Sequence, residues 1–118
     1  MKINVYLLFL ITLNLLAFNK LLNGQYIFIS NENSDTIVVL DKIKKEIVKT
    51  IKTGGRPRDL KFNNDYSKLY VVVSEENHIL EIDADNLKVL DEIATGDDPE
   101  IFDIDETWGT ESDIMRLV

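Results

Sequence analysis

The sequence predicts an all-β protein of repeated four-stranded antiparallel units that follow a short helical segment. Three observations support this: an ungapped internal repeat, alternation of apolar and polar residues, and turn signals at regular intervals. Residues 28–62 recur as residues 70–104, a shift of 42 positions. The shift aligns Phe28 with Tyr70, Ile37 with Ile79, Leu40 with Ile82, Asp41 with Asp83, Ile51 with Ile93 and Pro57 with Pro99. A fixed period of this size is typical of a modular array whose copies pack on their neighbours.

One complete repeat contains four short apolar segments with turns between them. The segments are residues 59–62, 69–73, 79–82 and 89–93. The second is almost wholly apolar and rich in valine, which predicts a strand covered on both faces. The charge content rises toward the fourth segment, so we expect that strand to face water. Four strands every 42 residues are typical of a β-propeller blade, and an ordinary sandwich would not explain an ungapped repeat.

Two glycine- and proline-containing segments, Thr53–Pro57 and Thr95–Pro99, predict the crossings from one blade to the next. Glycine permits the positive φ of a sharp bend, and proline cannot donate a hydrogen bond to a strand ladder, so both residues end a strand. The predicted repeat region is residues 26–107. It divides into a partial blade in residues 26–58, a full blade in residues 59–100 and the start of a third in residues 101–107.

The repeat breaks down after Trp108. A shift of Leu69–Val71 by 42 lands on Glu111–Asp113, where a deep strand cannot hold so many polar residues. We therefore interpret residues 108–118 as an off-pattern tail, produced either by a truncated or frame-shifted reading frame or as a short natural tail. A stack of blades that is open at its ends leaves strand edges unpaired. We expect the chain to associate rather than to remain a stable monomer.

Residues 1–25 have the layout of a secretory signal peptide. A basic start at Lys2 precedes an apolar run from Val5 to Phe18, and residues 19–25 are mostly polar or small. The run is interrupted by polar residues and is shorter than the ~20 apolar residues that a spanning helix needs. We expect cleavage near Gly24 and a periplasmic or secreted protein. The alternative is a membrane anchor formed by an uncleaved N-terminus, which would be the chain's one contact with a membrane.

Charge and cysteine content exclude several kinds of function. The 118-residue chain carries a net charge of −8, and loss of residues 1–25 removes two lysines and no acid, which gives −10. So acidic a surface disfavours nucleic acid and anionic membranes as partners. The chain contains no cysteine, so disulfides, thiolate metal sites and thiol nucleophiles are not available to it.

The strand ends and crossings resemble those of a known family. The stretches are Phe28–Glu32 followed by Thr36–Asp41, the crossing Thr53–Asp59, and Leu69–Val71 followed by Ile79–Asp83. They resemble the YVTN β-propeller repeat, named for a Tyr-Val-Thr-Asn strand end, and its Gly-x-x-Pro crossing. Phe28 and Ser30 replace the Tyr and Thr of that motif. The stretch Gly96–Phe102 is also similar to propeller proteins encoded alongside pyrroloquinoline quinone (PQQ) dependent alcohol catabolism.

This resemblance implies an exported propeller of about seven blades without an established catalytic activity of its own, so further blades would belong to the complete protein. It implies no cofactor. PQQ itself is a poor candidate ligand, because many quinoprotein dehydrogenases stack it on a disulfide of adjacent cysteines, and this chain has no cysteine.

Five charged residues on the predicted crossings are candidates for a ligand- or partner-binding face: Arg56, Arg58, Asp97, Asp98 and Glu100. Binding residues concentrate on loops held by a rigid scaffold. The two arginines also lie 42 residues before Asp98 and Glu100. Pairing of these charges between neighbouring crossings is therefore the alternative interpretation, and we favour it.

Other polar residues give weaker indications of chemistry. His78, the only histidine, follows a turn beside two glutamates and is expected to be solvated. The turn that begins at Asp83 resembles the start of a calcium loop, but Lys88 and Ala94 occupy the glycine and glutamate positions. The acidic residues after Gly96 alternate with apolar ones, which indicates a solvated or channel-facing strand rather than a metal site.

The function that the sequence favours is a non-catalytic, exported propeller scaffold that binds a protein or small molecule, with no cofactor or metal. No nucleophile, base and orienting group can be identified together in the sequence. A fragment of a propeller enzyme, such as a lactonase-like hydrolase or an oxidoreductase, is one alternative. A surface-layer or adhesive repeat protein is another.

Overall fold

The computed structural model describes residues 2, 4–12 and 25–105, and the backbone of residues 114–117. Residues 5–12 form a helix, α1, with exposed side chains. None of the helices in the described part of the chain is long and apolar enough to cross a bilayer. The predicted cleavage position at Gly24, and residues 106–113 of the third repeat and tail, lie outside the described residues.

The described residues form three antiparallel sheets. Their strands are β1 (Tyr26–Asn31), β2 (Thr36–Asp41), β3 (Glu46–Lys52), β4 (Pro57–Phe62), β5 (Lys68–Val73), β6 (His78–Asp83), β7 (Lys88–Ala94), β8 (Phe102–Asp105) and β9 (Ile114–Leu117). Blade 1 contains β1-β2-β3, blade 2 contains β4-β5-β6-β7, and blade 3 contains β8-β9. The all-β, four-stranded organisation predicted from the sequence is confirmed, and each predicted strand of the complete repeat lies within an observed strand.

The 42-residue period is reproduced in backbone detail. The register of β2 with β3 shifts between Val39 and Leu40, and that of β6 with β7 shifts between Glu81 and Ile82, one period later. Positive φ angles recur in the same way, at Asp35 and Asn77, Lys45 and Leu87, and Arg56 and Asp98. Residues other than glycine rarely adopt a positive φ. The two copies therefore share their bulges and bends as well as their strands.

The core lies between the blades. Blades 1 and 2 bury one cluster between them: Ile37, Val39, Ile51, Leu69, Val71, Val73, Leu80 and Ile82. A second cluster joins blade 2 to blade 3: Tyr70, Val72, Ile79 and Phe102. Successive residues of β5 thus contribute to opposite interfaces, as expected when side chains alternate across a strand. The prediction that β5 is covered on both faces is confirmed, and most of β7 is exposed as expected.

Strand β9 was not predicted from the sequence. It pairs with β8 so that Phe102 opposes Leu117 and Ile104 opposes Met115. In blade 2 the corresponding first strand pairs Phe62 with Leu69. The 42-residue period would place the partner of Ile104 at position 111, four residues before Met115. More residues separate β8 from β9 than separate β4 from β5. A fixed shift of 42 therefore places polar residues where the partner strand of β8 was expected.

Two aspartates hold the tips of the β2–β3 and β6–β7 hairpins. Asp41 Oδ1 accepts hydrogen bonds from the backbone N–H of Ile43 at 2.8 Å and Lys44 at 2.9 Å. Asp83 Oδ1 accepts the backbone N–H of Asn86 at 2.8 Å, and its Oδ2 accepts the Asn86 side-chain amide at 2.8 Å. These bonds favour the ionised carboxylate. The backbone N–H of Lys44 lowers the pKa of Asp41, and the Asn86 side chain lowers the pKa of Asp83.

These pKa shifts predict a loss of stability in acid. A carboxylate with a pKa lower in the folded chain than in the unfolded chain, where it is about 3.9, stabilises the fold above that pH. The contribution is lost as pH falls through the folded pKa. We expect thermal melts to show that wild type loses more stability below about pH 4 than Asp41→Asn/Asp83→Asn. Glu92→Gln, which removes an exposed carboxylate of β7, should follow wild type. Parallel curves for wild type and the double variant would contradict this.

Candidate functional site

The crossings between blades are fixed by the hairpin tips beside them. The backbone N–H of Arg56 donates to Asp35 Oδ1 at 3.2 Å, and the N–H of Thr53 donates to the Asp35 carbonyl at 3.0 Å. One repeat later, the N–H of Asp98 donates to Asn77 Oδ1 at 2.9 Å. These loops lie at one end of the blades, which we call the crossing face: residues 32–35, 53–56, 74–77 and 95–98. Side chains on the crossing face are thus held by a repeated backbone scaffold.

Five charged side chains on or next to this face form an ionic cluster that spans the blades: Glu32, Arg56, Arg58, Asp98 and Glu100. The Glu32 carboxylate of blade 1 lies 3.1 Å from Arg56 Nε and 3.6 Å from Arg58 Nη2. On the other side, Arg58 Nη1 donates to Glu100, and Arg56 Nη1 lies 3.9 Å from Asp98. Each arginine therefore connects a carboxylate of the first repeat with one that precedes blade 3.

A second ionic contact follows the same period. Lys61 of β4 lies 3.2 Å from Asp103 of β8, and its Nζ is 5.5 Å from the centroid of the Phe102 ring. Asp59 Oδ2 is 3.8 Å from the same ammonium and accepts the backbone N–H of Phe102 at 3.4 Å. The first strands of blades 2 and 3 are therefore joined by the ion pair of Lys61 with Asp103 and by the hydrogen bond that Asp59 accepts from the backbone of β8.

The cluster is partly exposed to solvent. The side chains of Arg56 and Arg58 are 35% and 27% exposed, whereas that of Glu100 is 59% exposed. The hydrogen bond to Glu32 raises the pKa of Arg56 further above its usual range. The hydrogen bond from Lys61 lowers the pKa of Asp103. Both groups are thus fixed in their charged forms, and ion pairs of this exposure contribute modestly to stability.

Four of the five predicted site residues meet in this cluster. The pairing of the two arginines with Asp98 and Glu100, which the sequence analysis favoured, is confirmed. Asp97 is exposed on the same loop, and no ion pair joins it to another residue in the described part of the chain. The binding of a ligand or partner by this face stays a prediction.

Sequence reasoning missed three members of these contacts, Glu32, Lys61 and Asp103. Lys61 and Asp103 are separated by the repeat period of 42, so the same comparison that paired Arg58 with Glu100 could have found them. Glu32 gave no such signal, because Ser74, its equivalent in the second repeat, carries no charge. Its role depends on how the β1–β2 hairpin lies beside the next crossing, which the repeat alone does not specify.

The expectation that His78 is solvated is correct only in part, because the residue is half-buried. His78 is the first residue of β6 and lies between Val73 and Ala94 in the sheet. Its Nε2 is buried and has no hydrogen-bond partner among the residues that the structure describes. The turn signal that precedes it ends one residue earlier, at Asn77, which adopts a φ of 54°. The chain is therefore already extended at the histidine, and its Nε2 is withdrawn from solvent.

The remaining sequence candidates have structural roles where the structure describes them. Asp83 bonds the backbone of its own turn, as favoured over calcium binding. In the acidic strand β8, Phe102 is buried and Asp103 is exposed, in agreement with the predicted alternation. Across residues 2, 4–12 and 25–105, no cluster of three or more histidine or carboxylate side chains is arranged to hold a metal ion.

The pair of Arg58 with Glu100 predicts a measurable coupling energy. In a double-mutant cycle with Arg58→Ala and Glu100→Ala, we expect about 0.2–1 kcal/mol of coupling, because both side chains are partly solvated. The coupling should fall as salt is raised. Arg58→Ala combined with Asp97→Ala is the matched control and should be additive. Additivity of the Arg58 and Glu100 substitutions in low salt would show that the contact does not stabilise the blades.

Comparisons with known proteins support the fold. No family model matches the sequence, and a search of curated proteins likewise finds no match. One similar solved structure is Kuenenia stuttgartiensis hydrazine synthase, with 23% identity and a TM-score of 0.60 over 66% of this chain and 22% of that chain. Another is the dihydro-heme d1 dehydrogenase NirN in complex with DHE, with 17% identity and a TM-score of 0.62 over 68% of this chain and 17% of that chain. A third is apo AztD from Citrobacter koseri, with 20% identity and a TM-score of 0.56 over 64% of this chain and 22% of that chain. All three are β-propeller proteins, and the chain spans about a fifth of their length.

Proposed function

We propose that this chain is part of a non-catalytic, exported β-propeller that presents its crossing face to a binding partner. The ionic cluster is the observation that carries the proposal. Arg56 and Arg58 are each bound on both sides by carboxylates, so these charges connect blades and are not free to act on a substrate. A face stiffened in this way suits recognition, because little conformational entropy is lost when a rigid surface binds.

The N-terminal helix supports export. Val5, Leu8 and Phe9, among other apolar side chains of α1, are more than half exposed. A helix with so much uncovered apolar surface gains no stability from the blades. It suits a segment that enters the membrane during secretion and is then cleaved, which would leave a mature chain that begins near Gln25.

A finer assignment is the YVTN-repeat family, in the group encoded alongside PQQ-dependent alcohol catabolism. The two crossings support it, because the glycine of the first Gly-x-x-Pro motif and the prolines of both copies have structural reasons. Gly54 has a φ of 93°, and Pro57 and Pro99 are buried. The protein would then be an accessory to that pathway, and its partner would be a protein or a small molecule that reaches the crossing face.

Site-specific photo-crosslinking in the periplasm tests this role. A photoreactive residue at Asp97 would lie on the crossing face, whereas one at Lys44 would lie on the β2–β3 hairpin at the other end of the blades. Both positions are exposed. We expect a discrete adduct from position 97 and none from position 44. Equal adducts at both positions, or retention of the protein in the cytoplasm, would contradict the proposal.

The second candidate is a fragment of a propeller enzyme. Two of the similar structures are a hydrazine synthase and a dihydro-heme d1 dehydrogenase, so blades of this shape also occur in enzymes. Elemental analysis and absorption spectroscopy of the purified chain separate the two candidates. A stoichiometric metal or chromophore would favour the enzyme fragment, and a binding scaffold is expected to contain neither.

A further inference from the structure

Among the residues that the structure describes, blade 1 has an open edge where blade 2 has a strand. In blade 2, β5 pairs with β4 on one side and with β6 on the other. Its repeat equivalent, β1, pairs only with β2 in the described part of the chain. An open edge presents a row of backbone N–H and C=O groups that another strand can pair with. β4 occupies the corresponding position in blade 2, so its pairing with β5 shows where a further neighbour of β1 would lie.

The same blade has an uncovered apolar face. Ile27 and Ile29 are 44% and 45% exposed. Their equivalents in blade 2, Leu69 and Val71, are 1% and 0% exposed because they pack against blade 1. Equivalent positions of the repeat are thus buried in blade 2 and exposed to solvent in blade 1. The face of blade 1 is therefore built to pack against a preceding blade.

The other end of the chain supplies a first strand without a complete blade. β8 is the equivalent of β4, and its Phe102 is buried against Tyr70 and Val72 of blade 2. Among the described residues, β8 pairs only with the four-residue strand β9. A two-stranded sheet is marginal by itself. β8 is therefore anchored to blade 2 while most of the blade that it should begin is absent from the described residues.

We propose that a second copy of this chain fills both deficits, with β8 of one copy serving as the first strand of blade 1 in the next. The register of β4 with β5 pairs Leu60 with Val71 and Phe62 with Leu69. Moved by one period, it pairs Phe102 with Ile29 and Ile104 with Ile27. β1 then takes the place of β9, and the new sheet has the order β8-β1-β2-β3.

The same arrangement covers the apolar face. Phe102 points toward blade 2 of its own copy, so directly opposed Ile29 of the next copy points there as well. The contact is head to tail, because β8 and β1 are different surfaces. Each copy then contributes two complete four-stranded blades. Since propellers have about four to eight blades, two to four copies close a ring.

Single-cysteine variants test this register, since the chain has no native cysteine. Ile27→Cys and Ile104→Cys are purified as separate full-length chains, then mixed and oxidised. We expect a disulfide between the two variants, and several-fold less from Phe28→Cys mixed with Ile104→Cys, because a slip of one residue places the side chains on opposite faces. The intrachain pair Phe62→Cys/Leu69→Cys calibrates the geometry, because it occupies the equivalent register within blade 2.

Light scattering on the wild-type chain completes the test. We expect a mass of two to four chains that does not grow with concentration, as for a closed ring. A monomer overturns the proposal. Equal crosslinking in the two mixtures, or disulfides only between identical variants, also overturns it.

Discussion

Replacement of Ile37 by alanine is expected to destabilise the chain by about 2–5 kcal/mol, the usual cost of such a substitution in a core. Ile37 is fully buried between blades 1 and 2. Its neighbours in the inter-blade cluster belong to strands of both sheets, so they cannot close around the cavity without moving the blades. The loss would be a large part of the 5–15 kcal/mol that separates folded from unfolded states in proteins of ordinary stability.

Urea titrations at one fixed protein concentration measure this effect, because association also contributes to apparent stability. Ile43→Ala is the matched control. Ile43 lies in the β2–β3 hairpin and is 68% exposed, so its replacement should change stability by less than about 0.5 kcal/mol. If both alanine variants unfolded at the same urea concentration, the stacking of the two sheets through Ile37 would be wrong.

Replacement of Gly54 by alanine is expected to cost about 1–3 kcal/mol, the usual cost of a residue forced into a sparsely populated backbone region. Gly54 has a φ of 93°, which only glycine adopts easily. A Cβ atom there would also lie 2.9 Å from Cγ of Glu76. That side chain can move aside, so we attribute most of the cost to the backbone.

Gly96 is the matched control because it occupies the same position in the next repeat. A Cβ atom at Gly96 meets nothing within 4 Å, and its φ is not positive. Gly96→Ala should therefore stay within about 0.5 kcal/mol of wild type. Thermal melts of Gly54→Ala and Gly96→Ala compare the destabilisation that each substitution causes. Equal destabilisation would show that the first crossing does not need the glycine conformation described here.

The repeat made most of the fold predictable. Because both copies keep apolar residues at equivalent strand positions, a single shift of 42 located the strands of blade 2. The apolar composition of β5 then predicted that this strand is buried on both faces. The prediction placed the first strand at residue 59, but β4 begins at Pro57. Proline is tolerated at the first position of a strand, and a register irregularity follows it before Leu60. Proline therefore correctly indicated that a crossing is present, but the crossing ends two residues earlier than the sequence predicted.

Other features depend on relations that the repeat does not encode. β9 escaped prediction because four additional positions separate it from its expected place. Glu32 was missed because its contacts with both arginines arise between a hairpin and the next crossing, at distant places in the sequence. The burial of His78 Nε2 was missed because a turn signal does not show where the following strand begins. Such contacts are set by packing between blades.

The most direct test of the account is a nuclear Overhauser measurement between the two repeats. The rings of Phe28 in blade 1 and Phe62 in blade 2 are edge to face, with centroids 5.6 Å apart. Selective labelling of phenylalanine, leucine and isoleucine should give cross-peaks between these two rings, together with cross-strand contacts between Leu69 and Ile82 within blade 2. Contacts within blade 2 without the Phe28 to Phe62 cross-peaks would contradict the stacking of the repeats as neighbouring propeller blades.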